Sequence, residues 1–146
     1  MKISTRARYG MRLMLDLALH YGEGPVFLKD IAKSEEISEK YLSQIIIPLK
    51  AIGLINSFRG AHGGYILARP PEKINLNEIV GILEGNFNLV DCIKKPQECS
   101  RVSICVTRNL WKILGETISL TLEKMSLGDL LIQCKNKHQQ SIIYNI

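Results

Sequence analysis

A mainly helical fold carrying one small β-hairpin is what this 146-residue sequence predicts. Three observations carry that prediction. Apolar residues recur at helical spacing over three stretches in the first third of the chain, two β-capable runs flank a glycine-rich loop at 60–64, and a long amphipathic stretch follows near 107–125.

Ala7, Met11, Met14, Leu15 and Ala18 share one face, with Arg6, Arg8 and Arg12 projecting from the early turns, so Thr5 to His20 reads as an amphipathic helix ended by Gly22, Gly24 and Pro25. A short helix from Leu28 to Ser34 follows, with Ile31 and Ala32 apolar. Glu35-Glu36-Ile37 then makes a tight turn, and Ser38 has the position of an N-cap for a third helix running to Ile52 and stopped by Gly53. Pro48 lies inside that helix and removes one hydrogen bond, but Leu42, Ile45, Ile46 and Leu49 keep the apolar face continuous on both sides of it.

Helix, short turn and helix, with Ser38, Lys40, Tyr41, Ser43 and Gln44 at the start of the second helix, is a helix-turn-helix arrangement, whose early positions meet base edges in the major groove. The runs Leu54–Phe58 and Tyr65–Leu67 around Gly60-Ala61-His62-Gly63-Gly64 form a hairpin that reads as a wing. Arg59 and Gly60 stand at its tip, where an arginine can enter a narrow minor groove. Asn75 or Asn77 caps a further helix to about Leu83. In the long stretch from Thr107, residues Leu110, Trp111, Leu114, Ile118, Leu122 and Met125 form a seam too apolar to stand alone, which predicts pairing with a second copy. The expected fold is therefore a winged helix-turn-helix domain (1–83), a cysteine-containing loop (84–106), a dimerisation helix with a short terminal helix (107–131) and a flexible polar tail (132–146).

Composition is that of a globular protein, 46% hydrophobic and 23% charged, with net charge +5. Residues 1–69 hold ten Lys/Arg to six Asp/Glu, residues 70–146 nine to eight, so the basic half coincides with the helix-turn-helix. Arg12 and Asp16 break the first apolar run, which argues against a signal peptide, and no run reaches the roughly 18 apolar residues of a membrane span. A cytoplasmic protein is expected, in which thiols stay reduced.

Cys92, Cys99 and Cys105 then stand out as C-x6-C-x5-C directly downstream of the basic domain. Thiols gathered there suggest a metal cluster reporting redox or iron state; a zinc site and plain small apolar residues remain the other readings. Cys134 lies outside the set, and His62 reads as a solvated loop residue. No Ser/His/Asp arrangement, phosphate-binding loop or paired carboxylates occur, so an enzyme is not expected.

Taken together, Met1-Lys2-Ile3-Ser4-Thr5 with Arg8-Tyr9, the Ile37-Ser38-x-x-Tyr41-Leu42-x-Gln44 helix, Gly53-Leu54-Ile55-x-Ser57-x-Arg59-Gly60, Gly63-Gly64-Tyr65-x-Leu67, the three cysteines and Leu110-Trp111 resemble the Rrf2 family of bacterial winged-helix transcription regulators. Within that family they are most similar to the iron–sulfur cluster assembly regulator branch, over about residues 1–131. The resemblance implies a homodimer that binds palindromic double-stranded DNA operators. It also implies one iron–sulfur cluster per subunit on Cys92, Cys99 and Cys105, a [2Fe–2S] centre in preference to a [4Fe–4S] one. The fourth ligand departs from the family pattern. Arg108 occupies the position of the branch's histidine, and Arg8 that of the carboxylate found in nitric-oxide-sensing members. A cluster-free regulator of the same family, responding to a small molecule or a partner protein, is the first alternative; an iron–sulfur carrier or redox protein is the second. The polar side chains at helix-turn-helix positions argue against the latter.

Overall fold

The computed structural model describes residues 1–145, and seven α-helices and a two-stranded sheet occur among them. The first helix, α1 (Thr5–Leu19), is capped by Ser4, whose hydroxyl accepts the Ala7 N–H at 3.1 Å. Helices α2 (Leu28–Glu35) and α3 (Glu39–Ala51) are joined by a turn in which Glu36 adopts a left-handed conformation, φ +54°. Ser38 caps α3 as expected, accepting the Tyr41 N–H at 3.0 Å, and Pro48 does not end the helix.

Strands β1 (Ile55–Phe58) and β2 (Gly64–Leu67) pair antiparallel, in register from Ile55 opposite Leu67 to Phe58 opposite Gly64. Gly63 N–H donates to the Gly60 carbonyl at 3.0 Å to close the turn. Val26, in the α1–α2 connection, adds an antiparallel bridge to Tyr65, with both backbone hydrogen bonds made. Gly64 takes φ +130°, and a Cβ there would collide with the Val26 carbonyl, so this crossing requires glycine.

After a 3₁₀ turn at Pro71–Lys73, α4 (Leu76–Glu84) starts with a capping box from Asn75 and Glu78. Asn77, the other cap candidate, instead donates to Glu123 at 3.2 Å. The cysteine loop holds a short helix α5 (Asp91–Lys94) and a 3₁₀ turn (Pro96–Glu98), before the long helices α6 (Val106–Glu123) and α7 (Leu127–Tyr144).

One core joins these elements. Leu13, Met14 and Leu17 of α1, Leu42, Ile45 and Leu49 of α3, and Ile79 and Leu83 of α4 are buried together, each contributing roughly 1.5–3 kcal/mol relative to exposure. Leu127 and Leu131 of α7 belong to the same core, so the winged-helix unit is completed by residues far beyond 83. Two strand-like hydrogen bonds, Leu76 N–H to the Met125 carbonyl and Leu127 N–H to the Ile74 carbonyl, fasten the α6–α7 junction to the start of α4.

The structure differs from the sequence reading at the C-terminus. The segment expected as a flexible tail over 132–146 continues α7 as far as Tyr144; residue 146 lies outside the described residues. A capping box from Ser126 and Asp129 starts this helix, and no glycine or proline follows Gly128 to stop it. Polarity beyond Lys135 marks a solvated helix surface and not the absence of a helix.

Helices α1 and α2 are tied to each other by the buried Asp16, 3% exposed, whose Oδ2 accepts the Ser34 hydroxyl at 2.8 Å. Ser34→Ala would leave that oxygen without its donor. We expect a loss of about 1–3 kcal/mol of unfolding free energy in urea titration; an unchanged midpoint with an unchanged slope would show that the carboxylate does not depend on this hydroxyl.

Candidate nucleic-acid interface and cysteine loop

The buried face of α3 determines which side chains the helix offers to solvent. With Leu42, Ile45, Ile46 and Leu49 turned inward, Lys40, Ser43 and Gln44 are left on the exposed side of its first turns. Among the described residues neither the Lys40 ammonium nor the Gln44 amide has a side-chain partner. The Ser43 hydroxyl donates to the Lys40 carbonyl at 2.6 Å, which leaves its lone pairs available. Ser38 is exposed but spends one lone pair on the cap.

Tyr41 is placed differently. It is half-buried, edge-on to Tyr9 with ring centroids 5.9 Å apart and planes at 82°. Arg12 lies over the Tyr9 ring and pairs with Glu35 at 2.8 Å. These contacts join α1, α2 and α3 beside the exposed face, so much of the Tyr41 ring serves to set the helix angle. Arg8 is exposed on α1 and Arg59 and Gly60 on the wing, with Gly60 at φ +98°. The arrangement provides hydrogen-bonding side chains on one projecting helix and a cation on a projecting hairpin. Sequence reasoning missed Lys29 and Lys50, which line a cleft between these elements. Their only signal in the chain is a position at the start of α2 and in the last turn of α3.

The three cysteines sit at element boundaries: Cys92 in α5, Cys99 ending the 3₁₀ turn and Cys105 as N-cap of α6. All are half-buried free thiols. The Cys105 thiol is held below the ordinary thiol range, chiefly by the Thr107 hydroxyl 3.3 Å away and then by the Arg108 backbone N–H, against partial desolvation. Arg108 Nε donates to the Cys92 carbonyl at 3.3 Å, fastening α5 to the first turn of α6. In kind, three thiols on one loop fit an iron–sulfur cluster, and the thiolate-favouring setting of Cys105 suits a ligand. In placement they are not gathered: among the described residues no three Cys, His, Asp or Glu side chains converge as a metal site. Among the described residues no helix is long and apolar enough to cross a membrane.

The expected seam on α6 divides into two faces. Leu122 and Met125 pack partly buried against the chain's own core, Ile118 is half-buried, and Gly115 packs beneath the Phe87 carbonyl. Leu110, Ile113, Leu114 and Leu120 are exposed, at 48%, 50%, 41% and 55%. Trp111, read as part of a packed seam, is 36% exposed and sits at the rim. The hydroxyls of Thr117 and Thr121 donate back to the carbonyls four residues earlier, which withdraws them from the exposed stripe.

A helix-turn-helix with a hairpin wing, joined to a long two-faced helix, is the architecture of a winged-helix regulator. A family model described as Rrf2, an iron-dependent transcriptional regulator, matches residues 3–133, and the chain belongs to this family of transcriptional regulators, which are not enzymes. It is 41% identical over 131 residues to protein Rrf2 of Nitratidesulfovibrio vulgaris, covering 90% of this chain and 87% of that one. Among solved structures it is similar to CymR (YrzC), the global cysteine regulator of B. subtilis, with TM-score 0.75 and 37% identity, covering 91% of this chain and 98% of that one. It is equally similar to T. potens IscR, with TM-score 0.75 and 40% identity, covering 92% and 88% respectively.

The lowered Cys105 pKa gives a larger thiolate fraction at a fixed pH, and thiolate is the form that alkylates. In metal-free protein, the pH midpoint of iodoacetamide labelling at Cys105, mapped by mass spectrometry, should therefore lie below that of a free cysteine. Thr107→Val should raise it. A midpoint that Thr107→Val leaves in place would remove the hydroxyl from the thiol's setting.

Proposed function

We propose that this chain is a homodimeric DNA-binding regulator that reads an operator with α3 and the wing and adjusts its affinity through a cluster held by Cys92, Cys99 and Cys105. The observation that carries the DNA reading is the fixed phase of α3. Its apolar face is fully buried, so Ser38, Lys40, Ser43 and Gln44 meet base edges in the major groove while Arg59 and Gly60 reach the adjacent minor groove. Arg8 contacts backbone phosphate, and Tyr41 orients the helix as well as bordering the DNA. A two-fold symmetric dimer places two recognition helices about one DNA turn apart, which calls for a palindromic site.

The cysteine loop supplies the regulation. When bound, a [2Fe–2S] centre would provide a group whose charge and integrity change with iron, oxygen or nitric oxide. The chain's own residues carry that change onward. Arg108 links the Cys92 backbone to α6, and Cys105 is the N-cap of the same helix, so reordering of the loop acts on the first turn of α6. That helix carries the exposed apolar stripe, and its placement against a partner sets the spacing of the two winged helices. Because Arg108 and Arg8 replace the expected fourth ligands, a donor outside those two positions completes the set. The family's iron-dependent description supports this reading.

One observation favours a second, cluster-free reading: the three thiols stand apart, and a cleft of about 490 Å³ opens between Phe87, Ile93 and α6 beside their loop. A small molecule seated there would act on the same helix.

Anaerobic purification followed by absorbance, iron and sulfide measurement separates the two. The first reading predicts that Cys92→Ala, Cys99→Ala and Cys105→Ala each abolish the visible absorbance and change affinity for operator DNA, while Cys134→Ala changes neither. A colourless, iron-free wild type after reconstitution, with unaltered DNA binding, selects the second.

The dimer has its own test, directed at the exposed apolar residues of α6, while Ile118 is half-buried and is left unchanged. Replacing Leu110 and Leu114 together with glutamate should give a folded monomer by analytical ultracentrifugation, with DNA affinity reduced at least tenfold, a change of about 1.4 kcal/mol. A variant that still sediments as a dimer would place the interface elsewhere.

A further inference from the structure

A cleft of about 580 Å³ opens between the start of α2, the last turn of α3 and the wing, and three cations from three different elements line it: Lys29, Lys50 and Arg59. Only one acidic side chain, Glu39, shares the lining. Arg12 pairs with Glu35, Arg69 with Glu78, Lys95 with Glu98 and Lys112 with Glu116, all outside this cleft. Among the described residues neither Lys29, Lys50 nor Arg59 has an ion-pair partner. The two lysines are nonetheless held in position. Lys29 Nζ lies over the Phe27 ring, 5.3 Å from its centroid, and Lys50 Nζ donates to the Ser57 hydroxyl at 2.5 Å, which draws it across to β1.

We infer that this cleft seats the DNA backbone strand that runs between the two grooves, with Lys29 and Lys50 as its phosphate contacts. The inference rests on the DNA-binding reading and adds residues which that reading does not use. A recognition helix in the major groove and a wing in the adjacent minor groove are separated by one sugar–phosphate strand, since that strand is the wall between the grooves. The ground between helix and wing must therefore accept a row of phosphates, and here it is concave, cationic and, among the described residues, free of ion pairs. Contacts of this kind fix register and add affinity without reading bases. Their energy comes from released counterions, so their signature is a salt dependence and not a sequence preference.

The test is fluorescence anisotropy with a random-sequence DNA duplex over a salt series, using full-length wild type, Lys29→Ala, Lys50→Ala and the double variant. Each single change should reduce the slope of log affinity against log salt by about 0.9, and the double change by about twice that. Lys50→Arg keeps the charge and should keep the slope. Ser57→Ala, which removes only the hydrogen bond, should keep it too, and Lys137→Ala on the distal part of α7 serves as the control. Unchanged slopes in the lysine variants, or an equal loss in Lys137→Ala, would overturn the inference. So would stabilisation of the wild type by inorganic phosphate that the double variant lacks, if its DNA slope is unaltered, because the cleft would then be a small-anion site. A wild type with no affinity for duplex DNA would sink the DNA reading itself, whereas a wild type that binds with lysine variants of unchanged slope would remove only this cleft.

Discussion

The burial of one face of α3 is the constraint on which the rest depends. Leu42, Ile45 and Leu49 are fully enclosed between α1 and α4, and this fixes the rotation of the helix about its own axis. A side chain at Lys40 or Gln44 has no freedom to choose a face once those residues are inside. The same burial explains why Pro48 is tolerated. The apolar contacts on either side of it outweigh the one hydrogen bond it removes, and the Ser38 cap and the Tyr41–Tyr9 contact hold the opposite end.

The second constraint is the double use of α6. One face, with Gly115 close beneath Phe87 and with Leu122 against the core, is committed to its own chain; the other, from Leu110 to Leu120, is not. A helix gripped on one side and apolar on the other couples whatever moves its N-terminus to whatever lies against its free face. The Cys105 cap and the Arg108 hydrogen bond to the Cys92 carbonyl are at that N-terminus. The strand-like hydrogen bonds at Ile74, Leu76, Met125 and Leu127 fasten its other end to the winged-helix core. The cysteine loop and the winged-helix unit are thus joined through one helix, α6.

Much of this was legible in the chain because local chemistry decided it. Ser38 before Glu39, the glycines at 60, 63 and 64, and the spacing of Leu42, Ile45, Ile46 and Leu49 each specify a cap, a turn or a face without reference to distant residues. Of two candidate caps, Asn75 wins because Glu78 stands three residues on and completes the box. What was not legible depends on tertiary contact. The α6 seam read as one surface, because spacing alone does not tell a face that meets Phe87 from one that meets solvent. The helical run to Tyr144 was hidden by its polarity, since without a distant partner a polar stretch has no pattern to display. Lys29 and Lys50 lie 21 positions apart and meet only across the cleft beside the wing. The cysteine spacing, conspicuous in the chain, says nothing of how near the thiols approach.

In the proposed function α3 and the wing are the surface that meets DNA. Amide NMR shifts followed during titration with a short DNA duplex test it most directly. The largest changes are expected at Lys40, Ser43 and Gln44, with a second group at Arg59 and Gly60, and little change along the distal half of α7. Shifts concentrated on α6 or α7, with the Ser38–Gln44 amides unmoved, would contradict it.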